Sequence, residues 1–175
     1  MSRSARTAAQ LASVALVLAT GAAGGAIAAG LPPAEGSAQG VIAPAPELSV
    51  PSLRGTETVT LDGRDKPVIL NFWASWCEPC KRETPALIEF HNLRPDVDVV
   101  GVAVNDRTAD SIRFADKLAI PYQLGSDRSG DAAARFDVSG LPTTLVIDAD
   151  GRVAAVFPGE IDREQLVAFA DQIAG

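Results

Sequence analysis

The stretch "NFWASWCEPCKRETP", residues 71–85, decides the fold and holds both cysteines of the chain, Cys77 and Cys80. Residues 68–74, "VILNFWA", are mostly apolar at both alternating sets of positions, which is typical of a central strand covered on both faces. Residues 81–93, "KRETPALIEFHNL", have the apolar spacing of an amphipathic helix. The cysteine pair is therefore predicted to lie where a buried strand ends and a helix begins.

A thiol at the start of a helix ionises more readily than a free one, because unpaired backbone N–H groups and the helix dipole favour negative charge there. The thiolate is the attacking species in disulfide exchange. A spacing of three residues in the first turn also brings two sulfurs close enough to bridge. We therefore predict that Cys77 attacks a partner's disulfide and that Cys80 resolves the mixed disulfide.

Two residues separate the cysteines and are predicted to shape the pair. Pro79 lacks an N–H group and stiffens the turn, and proline is tolerated in the first turn of a helix. Glu78 is expected to face solvent and to adjust the electric field around the motif. Redox chemistry by this pair needs no metal and no cofactor besides the disulfide itself, so neither is predicted.

Other uses of the cysteine pair are less well supported. A structural disulfide across so short a loop would constrain little. Zinc needs about four ligands, whereas the chain offers two cysteines and one histidine, His91. A copper-binding or metallochaperone module with the two thiolates and His91 stays open, although His91 is expected at the solvated end of the helix. A thiol peroxidase pattern would need Pro and Thr or Ser where Leu70 and Ala74 stand.

The order of predicted elements indicates an α/β domain with a mixed central sheet and helices on both faces. The last two strands are joined by "ADG", a glycine-containing turn that favours an antiparallel hairpin. The second long helix is expected to start with Thr108 as its N-cap. Strands are predicted at residues 56–61, 68–74, 97–105, 121–127, 143–148 and 152–157, and helices at 81–93, 108–120, 130–138 and 161–175.

The front of the chain reads as a targeting segment. Arg3 and Arg6 precede an uncharged, apolar stretch that resembles a secretory signal, with "AIA" at 26–28 as a cleavage site. The stretch is also about as long as a bilayer span, which favours an uncut membrane anchor over a cleaved signal. We assign residues 1–31 to this segment, 32–45 to a flexible linker rich in Pro, Gly and Ala, and 46–175 to the folded domain, placed outside the cytoplasm.

The charge balance excludes one class of partner. The 175 residues carry 15 Lys and Arg against 22 Asp and Glu, a net charge of −7, and the folded part has no basic cluster. A nucleic-acid-binding surface needs such a cluster. We therefore predict no nucleic-acid partner.

The motif "NFWASWCEPC" with "KRETP" behind it, and "GLPTT" at 140–144, closely resembles the thioredoxin fold. More narrowly, it resembles the TlpA/ResA family of membrane-tethered, extracytoplasmic thiol–disulfide oxidoreductases. The resemblance covers nearly all of the chain beyond the linker. It implies protein thiol or disulfide substrates and a membrane electron donor or acceptor for the dithiol. It also implies the reducing direction, with apocytochrome c cysteines as a substrate during cytochrome c maturation.

The resemblance also assigns roles to residues outside the motif. Pro142 is implied to be cis and to face the cysteines, and Leu141 to present backbone groups to a peptide that adds as a short strand. Trp76 is expected on the surface around Cys77, where an aromatic side chain suits docking, whereas Trp73 is expected in the core.

Glu83 is the candidate proton acceptor. It lies three residues after Cys80, one helical turn on and on the same side. In the TlpA/ResA family a Glu at this spacing takes part in proton transfer with the second cysteine. A carboxyl shielded from water would have a raised pKa, suited to acid–base work near neutral pH. The alternative is an ordinary acid on an exposed helix face beside Lys81 and Arg82.

Overall fold

The computed structural model of the protein describes residues 43–173, so the predicted signal or anchor and most of the predicted linker lie outside the described residues. The strands are β1 (Ala43–Pro44), β2 (Ser49–Pro51), β3 (Thr58–Thr60), β4 (Val68–Trp73), β5 (Asp98–Val104), β6 (Gln123–Asp127), β7 (Thr143–Ile147) and β8 (Arg152–Pro158). The helices are α1 (Glu78–Leu93), α2 (Thr108–Lys117), α3 (Asp131–Arg135) and α4 (Arg163–Ile173).

The central sheet has six strands in the order β1-β8-β7-β4-β5-β6. β4 pairs parallel to β5 and antiparallel to β7, so the prediction of a mixed sheet is confirmed. Every residue of β4 is buried, as expected for an apolar strand in the middle of a sheet covered on both faces. β4 therefore delivers the chain to the cysteine motif from the centre of the sheet.

The two faces of the sheet are covered by different kinds of element. On one face, α1, α2 and α4 pack over a core that includes Trp73, Leu87 and Leu166. On the other, α3 is only five residues long, too short to cover the sheet alone. The two-stranded sheet of β2 and β3 completes this face with Val50 and Val59. Helices do lie on both faces of the sheet as predicted, but the β2–β3 hairpin covers much of the second face.

Several local details differ from the sequence-based expectations. β1 falls inside the segment assigned to the linker, where Ala43 pairs with Val153 of β8. α2 is capped by Arg107 without a side-chain hydrogen bond, so the prediction of Thr108 as N-cap is wrong by one residue. No helix within residues 43–173 has both the length and the apolar character that crossing a bilayer requires.

We expect Gly125→Ala to lower the free energy of unfolding by about 1–3 kcal/mol, because the core has no room for the added methyl group. A Cβ at position 125 would lie 2.5 Å from a Val50 Cγ and 3.4 Å from the Val59 Cβ, and valine side chains have little freedom to rotate away. Gly140→Ala is the matched control, since a Cβ there meets nothing within 4 Å. Equal urea midpoints for the two variants would contradict the prediction.

Candidate active site

Cys77 is the N-cap of α1. Its sulfur accepts a hydrogen bond from the Cys80 amide at 3.3 Å, and Pro79 occupies the first helical turn, where the missing N–H is not needed. The two cysteines form a disulfide with their Cα atoms 5.3 Å apart. In the reduced state the same amide and the helix dipole favour a thiolate at Cys77.

The two sulfurs differ in their access to solvent. Cys77 is 5% exposed and Cys80 is completely buried. A macromolecular substrate can reach a sulfur only at the surface, so the accessible position belongs to Cys77. The burial difference matches an attacking cysteine followed by a resolving one.

A cavity lies beside Trp76, the residue that precedes Cys77. Trp76 is 59% exposed, and its indole N–H donates to the Asn105 carbonyl at 3.4 Å. The cavity, of about 290 Å³, is bounded by Trp76, Asn105 and Leu141, and its other walls come from the end of β5, from α3 and from residues next to α3. The peptide bond between Leu141 and Pro142 is cis, as the resemblance implies.

Glu83 lies in the core and not on the exposed face of α1, so the alternative of an ordinary surface acid is wrong. It is 2% exposed. The Asn71 side-chain amide donates to its Oε1 at 2.7 Å, and the Ile161 backbone N–H donates to its Oε2 at 3.2 Å. The net pKa of Glu83 is raised to about 7, chiefly by burial. The two donors lower the pKa, and the nearby negative charge of Glu160 makes a smaller contribution that raises it.

The hydrogen bonds of Asn71 link Glu83 to the sheet. The same Asn71 amide group also donates to the Thr144 hydroxyl at 2.9 Å, so the side chain bridges β7 and the carboxyl. Asn71 is a polar residue in an otherwise apolar central strand, and this contrast is the sequence signal that points to a hydrogen-bonding role. The Ile161 amide had no such signal, because every residue except proline carries a backbone N–H.

The sequence reasoning also missed a second buried carboxylate, Asp106. It accepts hydrogen bonds from the Ser75 amide at 2.7 Å, the Ser75 hydroxyl at 3.0 Å and the Ser111 hydroxyl at 2.7 Å. These bonds tie the segment between β4 and α1 to Asp106 and, through Ser111, to α2. Asp106 therefore orients the backbone that presents Trp76 and Cys77.

The remaining candidates fall into surface and core positions. Glu78 is exposed and paired with Lys81, which holds the pKa of the Glu78 carboxyl below its ordinary value. Trp73 is buried. His91 lies in the last turn of α1 as expected, but it is half-buried rather than fully solvated, with its ring against Tyr122 and its Nδ1 buried without a partner. Within the described part of the chain, no group of three or more His, Cys, Asp or Glu is placed to hold a metal ion.

Comparisons with known proteins agree with this geometry. The pattern of the AhpC/TSA family matches residues 41–156. The chain is 30% identical to the thiol-disulfide oxidoreductase ResA of Geobacillus thermodenitrificans over 141 residues, which cover 79% of this chain and 81% of that protein.

Solved structures of similar fold carry related names. A DsbF homologue from Corynebacterium diphtheriae matches with a TM-score of 0.72 and 30% identity, over 81% of this chain and 96% of that one. A secreted thiol-disulfide isomerase from Corynebacterium glutamicum matches with a TM-score of 0.66 and 28% identity, over 73% and 83% of the two chains. The chain therefore belongs to the AhpC/TSA family and is an oxidoreductase of the thiol–disulfide type, similar to the ResA proteins.

Proposed function

We propose that the protein reduces disulfides of other proteins outside the cytoplasm, through the dithiol form of Cys77 and Cys80. The observation that carries the proposal is the pairing of an accessible sulfur at the start of α1 with a buried sulfur one helical turn from a buried carboxyl. The extracytoplasmic location is supported by the apolar leader in the sequence and by the secreted protein of similar fold.

In the first step, the Cys77 thiolate attacks one sulfur of a substrate disulfide. The substrate S–S bond breaks, a mixed disulfide to Cys77 forms, and the second substrate sulfur leaves as a thiolate that takes a proton from water. In the second step, Cys80 gives its proton to the Glu83 carboxylate and attacks the Cys77 sulfur. The mixed disulfide breaks, the substrate sulfur leaves as a thiolate that takes a proton from water, and the Cys77–Cys80 disulfide forms. Two electrons have then passed to the substrate.

Glu83 suits this role because its environment keeps the two protonation states close in free energy near neutral pH. A general base is most effective when its pKa lies near the working pH, and the pKa of Glu83 is about 7. Asn71 and Ile161 hold the two carboxyl oxygens in place while the proton moves. Glu83 then releases its proton to solvent before the next cycle.

The surface around Cys77 would hold the substrate. An extended segment of the substrate adds along the backbone of Leu141 and Pro142, with a neighbouring side chain in the cavity beside Trp76. Apocytochrome c cysteines are the substrate that we propose, and a membrane dithiol donor returns the pair to its reduced form. The direction of transfer depends on the reduction potential of the pair, and about 30 mV is worth only ~1.4 kcal/mol for two electrons. A small energetic change could therefore reverse the direction, and the reduction potential of the isolated domain tests it.

We expect Cys77→Ala to abolish the reduction of insulin disulfides, because it removes the attacking sulfur. Cys80→Ser should instead accumulate a mixed disulfide with the substrate, because the first step proceeds and the second cannot. Turbidity of reduced insulin measures the first effect, and non-reducing gel mobility the second. Wild-type turnover by Cys77→Ala, or failure of Cys80→Ser to trap substrate, would overturn the assignment of the two sulfurs.

Glu83 should leave a signature in the stability of the oxidised protein. Its folded-state pKa of about 7 lies above the ordinary value of 4.5, so the folded state binds the proton more tightly than the unfolded state. The contribution of Glu83 to the free energy of unfolding is therefore largest below pH 4.5 and falls by about 3 kcal/mol as the pH rises to 7. We expect Glu83→Gln to lose this decline in urea titrations across the range. Parallel curves for the two proteins would contradict a raised pKa.

The same residue should control the pH dependence of the second step. We expect Glu83→Gln to slow resolution of a preformed mixed disulfide at least about tenfold above pH 7, because the buried Cys80 thiol loses its proton acceptor. The wild-type rate should rise with an apparent pKa near 7, and the variant should lack this rise. Glu89→Gln, which changes an exposed acid of the same helix, is the control and should match the wild type. A Glu83→Gln profile identical to the wild type would remove Glu83 from the mechanism.

A further inference from the structure

The loop between β8 and α4 contacts both halves of the active site through its backbone. The Gly159 N–H donates to the Pro142 carbonyl at 2.8 Å, and the Ile161 N–H donates to Glu83 Oε2 at 3.2 Å. Gly159 has φ 96°, in the left-handed region that favours glycine. One short segment, residues 159–162, therefore sets the surroundings of both the cis-proline segment and the buried carboxyl.

The end of this loop nearest α4 is fixed by a capping box. The backbone N–H of Gln165 donates to Asp162 Oδ1 at 2.8 Å, and the backbone N–H of Asp162 donates to the side-chain Oε1 of Gln165 at 3.0 Å. Such a reciprocal pair satisfies two backbone donors at a helix start. It defines where α4 begins, but it does not attach the loop to α1.

Besides the Ile161–Glu83 hydrogen bond, an ion pair between Arg82 and Glu160 attaches the loop to α1. The Arg82 Nε lies 3.3 Å and 3.1 Å from the two carboxylate oxygens of Glu160, and a terminal nitrogen lies 2.8 Å from Oε2. This two-pronged geometry restricts orientation as well as distance. Arg82 precedes Glu83 in the helix, and Glu160 precedes Ile161 in the loop, so the ion pair and the hydrogen bond join adjacent residues of the same two segments.

The ion pair is exposed and contributes little to the stability of the fold. The side chains of Arg82 and Glu160 are 60% and 41% exposed, and pairs in such surroundings are weak because water screens them. Its location has a more specific effect. The Ile161 amide reaches Glu83 only while the loop lies against α1, and the ion pair opposes movement of the loop away from the helix.

We propose that Arg82 and Glu160 are positioning residues whose ion pair holds the 159–162 loop so that the Ile161 amide stays bound to Glu83. The inference rests on the proposed proton-transfer role of Glu83 and adds two residues to it. The other ionisable groups that interact electrostatically with Glu83 are Glu160 on the loop and Tyr122 in front of β6. Any test must therefore separate the position of the loop from the charge of Glu160.

Two single variants make that separation. If Arg82 and Glu160 acted only through their charges, Arg82→Ala would raise the pKa of Glu83 and Glu160→Ala would lower it. If they act by holding the loop, each variant frees the loop, which removes the Ile161 donor from the carboxylate and also admits water beside it. The pKa of Glu83 then shifts in the same direction in both variants, by about half a unit or more, and the Ile161 amide loses its contact. The carboxyl carbon of Glu83 in the oxidised full-length protein reports this pKa by NMR, and the Ile161 amide resonance reports the contact.

A charge-swapped double variant and a matched control complete the test. Arg82→Glu combined with Glu160→Arg restores an ion pair and should return the pKa of Glu83 to its wild-type value. Arg163→Ala removes a different contact between α1 and α4, from Arg163 to Glu89 at 3.8 Å, and should leave the pKa unchanged. Shifts of opposite sign in the two single variants, an unchanged Ile161 amide resonance, or no recovery in the swapped variant would overturn the proposal.

These measurements do not depend on turnover, so the two proposals can fail separately. If Glu83→Gln leaves the pH profile of mixed-disulfide resolution unchanged, the proton-transfer role fails, while a shift of the same sign in both single variants still establishes the positioning effect. If Glu83→Gln alters the profile and the single variants leave the Ile161 amide resonance unchanged, the positioning role fails by itself.

Discussion

The first turn of α1 is the constraint on which the rest of the structure depends. It places unpaired backbone amides behind Cys77, and a thiolate there is stabilised by the same groups that any helix leaves unsatisfied at its start. β4 brings the chain to this point from the middle of the sheet, where every residue of the strand is buried. The segments around this turn all support it, each through different contacts.

Two buried carboxyls make hydrogen bonds near this turn. Asp106 accepts four, two from Ser75 and one each from Arg107 and Ser111, and so fixes the backbone in front of α1. Glu83 accepts hydrogen bonds from Asn71 and Ile161 and is buried, and burial outweighs the two donors, so the pKa of Glu83 rises to about 7. This balance between burial and donors makes Glu83 able to exchange a proton near neutral pH.

Much of the architecture follows from local patterns in the sequence. The apolar run of β4 and the helical spacing after Cys80 place the motif, and the turn at Gly151 predicts the antiparallel β7–β8 pair. The covering of the second face was harder to predict, because α3 and the β2–β3 hairpin are short and weakly patterned. The contacts of Ile161 and Asp106 depend on segments distant in sequence, and no local pattern reports such contacts. The roles of Pro142 and Leu141 came from a family resemblance and not from spacing.

The complete burial of Cys80 next to Cys77 has a consequence for the lifetime of a captured partner. Ring closure between cysteines whose Cα atoms lie 5.3 Å apart is a unimolecular event, and well-oriented intramolecular groups can reach effective molarities on the order of 10⁵ M or more. A small thiol in solution attacks at a rate set by its own concentration, which lies far below such an effective molarity. In the proposed mechanism the covalent complex is therefore brief, and its duration is set inside the protein and not by the surrounding redox buffer.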